Sequence, residues 1–263
     1  MYFANLIKNA TIAVLVSAVT FTACKKPVSE TPLPQEPVLL KEFSDGTDIT
    51  NITYNPDSTV KTIRLANDPV SLDDNVTYTA SYNPGKKLKE LNGSNGTKIK
   101  VTYTGNLLTK AEMFNGTIKY AETIYEYNGT TLKSSTISIV DNAGSMPYFK
   151  SEFTFNTAGN VTRSDVLMYD PLLDRLEPTG YVLNQYDTKK NPFIVLGDVN
   201  LIFWQVASKN NPVKQEYFDK NGVAEEVVET TYTYGALDYP VRASMKETQP
   251  GQQPVISIVT FKY

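Results

Sequence analysis

A short sequence unit that begins with an aromatic residue recurs along this chain. It restricts the fold to one built from repeated β-hairpins. Each copy has a Tyr or Phe, a turn rich in Asn, Gly or Pro, and a second run that contains Leu or Val, in most copies with a basic residue. The clear copies are spaced by 28, 21, 24 and 28 residues, which is the scale of repeat architectures. They begin at Tyr54, Tyr82, Tyr103, Tyr127 and Phe155, and a looser copy begins at Tyr234.

The runs inside each unit alternate in the way that β-strands do. In VTYTASY the larger side chains, Val76, Tyr78, Ala80 and Tyr82, fall on one face, and small polar residues fall on the other. A period of two indicates a strand with one buried face. Asn-Gly pairs, which support positive φ in hairpin turns, recur at 92–93, 95–96, 115–116, 128–129 and 221–222.

We therefore expect an all-β fold, an antiparallel meander of β-hairpin repeats with about a dozen strands. The strands would form one large curved sheet that can curl into a barrel, and a two-sheet sandwich is the alternative. Closure depends on strand tilt and stagger, so the alternation does not choose between them. The final run, VISIVTFKY at 255–263, alternates as well and is expected to complete the sheet.

The N-terminus predicts export. Residues 10–23 carry no charge, but as a helix they span only about 21 Å, short of the ~30 Å hydrocarbon core of a bilayer. This length favours a signal peptide over a membrane-spanning helix. The residues at the boundary, Phe21-Thr22-Ala23-Cys24, resemble a bacterial lipobox, in which the cysteine is acylated.

The lipobox resemblance implies a division of the chain. Residues 1–23 would be a lipoprotein signal peptide, 24–41 a lipidated Cys24 with a Pro-rich tether, and 42–263 a single all-β repeat domain. It also implies a cell-envelope location, and the absence of an aspartate after Cys24 favours the outer membrane. The periplasmic or surface face stays open, and an ordinary secretory signal is the alternative.

Composition removes most catalytic classes. The chain has no histidine, and Cys24 is its one cysteine, so Ser-His-Asp and Cys-His nucleophiles and the usual zinc sites are excluded. The formal net charge is −3 and no run of Lys or Arg exceeds two residues, which argues against nucleic-acid binding. We predict no catalytic, cofactor or metal site.

Carboxylates are the remaining candidates for catalysis. A glycoside hydrolase needs two of them across a cleft, which sequence spacing cannot establish. The loops Asp141–Gly144 and Asp219–Gly222 faintly resemble calcium loops but lack the rest of a ligand set, so solvated turns are expected. The other candidates are Asp165, Asp170 and Asp174 and the pairs Asp73-Asp74 and Glu225-Glu226.

Two resemblances concern longer stretches. Phe155-Asn156-Thr157-Ala158-Gly159-Asn160-Val161 is similar to the YD-type repeats of RHS-like proteins, and the likeness extends over residues 48–170 and 230–263. It implies curled sheets of hairpins and no activity. The segment from Tyr186 resembles uncharacterised Bacteroidetes lipoproteins of a domain-of-unknown-function family, through Tyr186, Asp187, Lys189, Asn191, Pro192, Phe193, Ser208, Lys209, Asn210, Asn211 and Pro212.

Three smaller features complete the predictions. The apolar block 193–206 is expected to be a buried connection or a short helix that plugs the end of the curled sheet, with a ligand platform as the alternative. Asp57-Ser58-Thr59 resembles the O-glycosylation motif of exported Bacteroidetes proteins, which makes Ser58 a candidate site. Lysines that follow the turns are expected to protect strand edges from unwanted pairing, at positions 61, 87, 89, 110 and 133.

Three functions fit this sequence. The first is a non-enzymatic, membrane-anchored module that binds a glycan, a peptide or an envelope protein, or serves in the envelope. The second is a carboxylate-dependent glycoside hydrolase. The third is a purely structural repeat protein.

Overall fold

The computed structural model describes residues 38–67, 75–204 and 208–263, and these residues form sixteen antiparallel strands in one closed barrel. Strands adjacent in the chain are adjacent in the barrel, and β1 closes it on β16, with Phe43 opposite Phe261. The predicted all-β meander is confirmed in its barrel form, with sixteen strands instead of about a dozen. Residues 1–37, with the predicted lipidation site Cys24, lie outside the described residues.

The strands have these bounds: β1 Glu42–Ser44, β2 Asp48–Tyr54, β3 Val60–Asn67, β4 Val76–Tyr82, β5 Leu88–Gly93, β6 Thr97–Thr104, β7 Leu107–Asn115, β8 Ile118–Asn128, β9 Thr131–Asp141, β10 Gly144–Phe155, β11 Val161–Asp170, β12 Arg175–Tyr186, β13 Pro212–Asp219, β14 Ala224–Tyr234, β15 Pro240–Thr248 and β16 Val255–Lys262.

The repeated aromatic residue marks a β-bulge at one end of the barrel. In the first copy Tyr54 pairs with Val60 and Thr53 pairs with Thr62, so Lys61 is the extra residue. Bulges occur at barrel rims, where they bend the strand and increase its twist. The same shift recurs at Tyr82, Tyr103, Tyr127, Phe155, Tyr186 and Tyr234. We call this the aromatic end, and the end with the turns at 45–47, 94–96, 142–143, 171–174 and 220–223 the far end.

Tyrosine hydroxyls join successive hairpins at the aromatic end. The Tyr82 hydroxyl donates to the carbonyl of Val60, the first residue after the preceding turn, at 2.7 Å. Each such bond links one repeat to the one before it, with a net value of about 1 kcal/mol. We call the set the tyrosine belt, and its donor–acceptor pairs are Tyr54–Leu40, Tyr82–Val60, Tyr127–Leu108, Tyr186–Val161 and Tyr263–Pro240.

The inner face of the wall is apolar. Alternate residues of the strands point inward, and Ile63, Leu91 and Ala111 are fully buried there. They belong to one core cluster that includes side chains from strands around the barrel. The barrel is therefore held together by its interior.

The outer face carries ion pairs. Glu112 and Glu122 face each other on β7 and β8, and Lys110 and Lys119 each contact both carboxylates at 2.6–2.9 Å. Burial alone would raise the pKa of Glu122, but hydrogen bonds from Lys119, Lys110 and Ser145 lower it to about 2. Further outward pairs are Lys150–Glu152, Arg163–Asp165 and Lys214–Glu216. Within the described residues, no helix has the length and apolar character needed to cross a membrane.

We expect the tyrosine belt to make the barrel sensitive to alkali. Burial raises the pKa of Tyr82, Tyr127 and Tyr186 to about 12, from an ordinary value of 10. An unfolded tyrosine ionises near pH 10 while a belt tyrosine keeps its proton. The free energy of unfolding should therefore fall as pH rises from 10 to 12, by on the order of 1 kcal/mol per tyrosine. Urea unfolding across this pH range, with phenolate absorbance as a second readout, measures the effect.

A matched pair of variants isolates one belt hydroxyl. Tyr127→Phe removes the bond to the Leu108 carbonyl and should lower stability by about 1 kcal/mol at neutral pH, with a shallower alkaline loss. The Tyr148 hydroxyl makes no hydrogen bond to the described part of the chain, so Tyr148→Phe is the control. Equal losses in the two variants would contradict the role of the belt.

Candidate functional site

One hairpin connection at the aromatic end is much longer than the others. Tyr186 and Pro212 pair as Tyr54 and Val60 do, so residues 187–211 replace the five-residue turn 55–59. This connection forms a 3₁₀ turn at Pro192–Leu196 and helix α1 at Asp198–Trp204. The segment that departs from the repeat in the sequence is thus an enlarged turn of a regular repeat. The signal that could have identified it is Tyr186, which follows Phe155 at nearly the usual spacing.

The enlarged turn plugs the barrel. Leu196 and Val199 are 3% and 2% exposed within the core cluster. The ring centroids of Phe193 and of Phe43 on β1 are 5.0 Å apart. The rings meet edge to face, which is a favourable geometry for aromatic pairs. The ring centroid of Tyr78, on β4, lies 5.1 Å from that of Phe203. The predicted plug is confirmed, and we call residues 192–204 the plug.

Two tyrosines from the wall hold helix α1. The Tyr103 hydroxyl donates to the Asp198 carboxylate at 2.6 Å, and the Tyr125 hydroxyl donates to the Leu201 carbonyl at 3.4 Å. Burial, reinforced by Asp198, raises the pKa of Tyr103 above its usual range. The Asp198 carboxylate therefore serves to hold the plug against the wall.

Asp187 anchors the start of the connection. Its carboxylate accepts the backbone N–H groups of Lys189 and Asn211 at 2.9 and 3.1 Å, and the Asn211 side-chain amide at 3.2 Å. The Tyr234 hydroxyl of β14 is a further donor. Burial and then Asp187 raise the pKa of Tyr234. These donors satisfy the carboxylate, so it is a structural fastener.

The end of the connection is fastened to β11. Ser208 accepts the Val161 N–H at 3.0 Å and donates to the Tyr186 hydroxyl at 2.8 Å. Asn160 and Asn210 exchange hydrogen bonds at 2.9 and 3.0 Å. We call Asp187, Ser208, Asn210 and Asn211, with these partners, the latch. The residues that carry the sequence resemblance described above thus include the latch and the start of the plug, where Asn191 accepts the N–H of Phe193.

A polar pocket of about 460 Å³ opens beside the latch. Its amides both donate and accept hydrogen bonds, a capacity that suits a ligand rich in hydroxyl groups. Gln185 and Thr188 are exposed in it and make no side-chain hydrogen bond to the described residues. The pocket is lined by Asn156, Ala158, Asn160, Thr162, Asn184, Gln185, Tyr186, Asp187, Thr188 and Asn210.

Ser58 lies in the β2–β3 turn at the aromatic end, half-buried, with φ of 66°. Beside it, hydrogen bonds from Thr59 and then Lys86 lower the pKa of Asp57 to about 2. O-glycosylation of Ser58 stays a prediction.

The candidate carboxylates are engaged locally. Asp165 pairs with Arg163 at 2.6 Å, Asp170 accepts the Leu172 N–H at 2.8 Å, and Asp174 accepts the Tyr169 hydroxyl at 2.6 Å. The structure also places the two calcium-like loops in far-end turns, where Asp141 and Asp219 accept backbone N–H groups.

Glu226 accepts from the Gln249 amide at 2.9 Å, and Glu225 lies next to it near the far end. Asp73 and Asp74 lie outside the described residues. In the described part of the chain no group of three His, Cys, Asp or Glu side chains is placed to hold a metal ion.

No protein-family model matches the chain, and no curated protein sequence does. A porin-like protein from Bacteroides uniformis ATCC 8492 superimposes with a TM-score of 0.59 at 12% identity, over 85% of this chain and 95% of that one. A porin-like protein from Bacteroides vulgatus ATCC 8482 gives 0.48 at 14% identity, over 86% and 99%. A DUF3836 family protein from Parabacteroides distasonis ATCC 8503 gives 0.25 at 11%, over 51% and 85%.

Of the three, the first superposition has a TM-score above 0.5. At 12% identity it shows that this chain shares the fold of that porin-like protein.

Two neighbouring tyrosines on β14 test the latch. Tyr234→Phe removes a donor to the Asp187 carboxylate and should lower the free energy of unfolding by about 1.5–3 kcal/mol. Tyr232 is buried and its hydroxyl has no hydrogen-bond partner in the described structure, so Tyr232→Phe should be neutral or slightly stabilising. Urea unfolding at neutral pH compares them, and equal losses would contradict the role assigned to Asp187.

Proposed function

We propose that this protein is a non-enzymatic binding module, anchored to the outer membrane by acylated Cys24, that takes a glycan at its aromatic end. The amide-lined pocket beside the latch carries the proposal. Its exposed polar groups are neutral, and its one carboxylate, Asp187, is satisfied by the latch. Such a site is equipped to hold hydroxyl groups in place without acid–base chemistry.

The outer face of the wall supports a barrel that stands in water. A barrel that spans a membrane turns an apolar band toward the lipid, and charged residues on that face are destabilising. Here the outward positions of β7 and β8 hold Lys110, Glu112, Lys119 and Glu122 in a compact ion-pair network. The lipid on Cys24, rather than the barrel wall, would attach the protein to the bilayer.

The path of the chain supports the same arrangement. The described residues begin at Val38, and the Leu40 carbonyl accepts the Tyr54 hydroxyl at the aromatic end. The Pro-rich tether would therefore join the barrel at that end. At about 3.1 Å per residue, residues 25–38 reach roughly 40 Å in a polyproline conformation.

A screen of neutral oligosaccharides tests ligand binding. The soluble chain 25–263 contains all sixteen described strands and serves as the probe. Gln185→Ala/Thr188→Ala should weaken the best binder about tenfold, because two hydrogen-bonding groups are removed. Thr117→Ala/Gln253→Ala, which removes two exposed polar groups near the far end, is the matched control and should bind normally.

Binding that both double variants reduce equally would place the ligand outside the pocket. If none of the oligosaccharides binds, the glycan class is wrong. Calorimetric titration of the soluble chain provides the affinities.

Cell fractionation tests the anchor. The full-length chain should require detergent for release from the outer membrane. A version whose residues 1–24 are replaced by a secretory signal with an ordinary Ala-x-Ala cleavage site should appear in the soluble periplasmic fraction. Retention of that version in the membrane after a high-salt wash would contradict a barrel that stands in water.

A further inference from the structure

The lysines beside the repeat turns do not protect strand edges, contrary to the expectation from the sequence. The barrel is closed, so the described strands β1–β16 present no free edge that charges would need to protect. Lys61, Lys89 and Lys133 nevertheless occupy the extra position of three bulges at the aromatic end. All three are exposed. Their position points to a surface function.

The aromatic end is basic. Its described connections and bulge positions hold nine lysines and four aspartates. Asp187 and Asp198 are bonded to tyrosines of the wall, and Asp57 and Asp238 are paired with lysines. The nine lysines, which we call the basic rim, are Lys41, Lys61, Lys86, Lys87, Lys89, Lys133, Lys189, Lys190 and Lys209.

Part of the basic rim is unpaired. Lys41, Lys61, Lys89 and Lys209 are exposed, and none forms a salt bridge with another described residue. Their positive charge is therefore directed outward into solvent.

The far end has the opposite sign. Its described connections, with the strand residues next to them, hold six aspartates against Arg175 and Lys220. The aspartates are Asp45, Asp48, Asp141, Asp170, Asp174 and Asp219. A chain of nearly balanced charge is thus polarised along the barrel axis, which favours one orientation at a charged surface.

The aromatic end, which carries the basic rim, is also the end where the proposed tether would join the barrel. Leu40 contacts Tyr54 at this end of the barrel. An anchor at Cys24 would therefore keep the basic rim within roughly 40 Å of the bilayer. A lipid chain and a basic patch are the two signals that together give stable attachment to an anionic membrane.

We infer that the basic rim docks on the phosphate headgroups of the membrane that holds the anchor, with the acidic far end pointing away. The inference rests on the proposed anchored function and adds an orientation to it, in which the pocket at the same end faces the bilayer surface. Each basic residue near an anionic surface contributes about fivefold in affinity, which is the equivalent of about 1 kcal/mol. The attraction falls when salt is added, because the charges are exposed.

Vesicle binding tests the orientation with two variants of equal charge. The soluble chain 25–263 is sedimented with vesicles of phosphatidylglycerol and phosphatidylcholine in equal amounts, and with vesicles of phosphatidylcholine alone. Lys61→Glu/Lys89→Glu changes two exposed, unpaired lysines of the basic rim. Lys98→Glu/Lys220→Glu makes the same change of charge near the far end, where neither lysine has a salt bridge to a described residue.

We expect the wild-type chain to bind the anionic vesicles and not the neutral ones. The basic-rim variant should bind about tenfold or more weakly, and the far-end variant within about twofold of wild type. Circular dichroism confirms that both variants are folded.

Equal weakening in both variants would overturn the inference, because net charge alone would then explain binding. It is also overturned if the wild-type chain does not bind, or if inorganic phosphate displaces it more strongly than sodium chloride of equal ionic strength. The fractionation and oligosaccharide experiments do not depend on these vesicles. A negative vesicle result would therefore not contradict the proposed anchor or the proposed glycan pocket.

Discussion

The barrel depends on repeated tyrosines that pack into the interior and donate their hydroxyls to a backbone carbonyl just after the preceding repeat turn. Each such hydrogen bond links neighbouring hairpins at the same height around the aromatic end, as in Tyr82 with Val60 and Tyr127 with Leu108. The bulge beside each aromatic residue bends the strand and adds twist, which a sheet needs in order to close. One residue type thus sets the register and fills the interior.

Sixteen strands enclose more space than their own side chains fill, and barrels of this size generally contain a channel. This chain resolves the problem with a single enlarged turn, which places Leu196 and Val199 in the core. The turn carries polar backbone into an apolar interior, and its ends need hydrogen-bond partners there. Asp187 and Ser208 provide these partners, which explains why the polar residues of the segment cluster at its two ends.

The parts of the fold that depend on local pattern follow from the sequence, and those that depend on distant contacts do not. Alternation around Tyr78 and the Asn-Gly turns predict the hairpins, and the apolar block 193–206 predicts a plug. The strand number is underestimated because β1 has only three residues and the repeat at Tyr186 is hidden by its long turn. Closure and the pocket escape prediction, since Phe43 meets Phe261 and Asn160 meets Asn210 across large separations in the chain.

The pairing of β1 with β16 brings the two ends of the described barrel to one side of the molecule. Leu40 and Tyr263 both lie in the ring of belt contacts, as acceptor and donor. A short linker could join them, and the turn at 142–143 offers exposed backbone for new termini. Such a circular permutant would keep every strand pairing while moving the termini, and with them the proposed anchor, to the opposite end of the barrel.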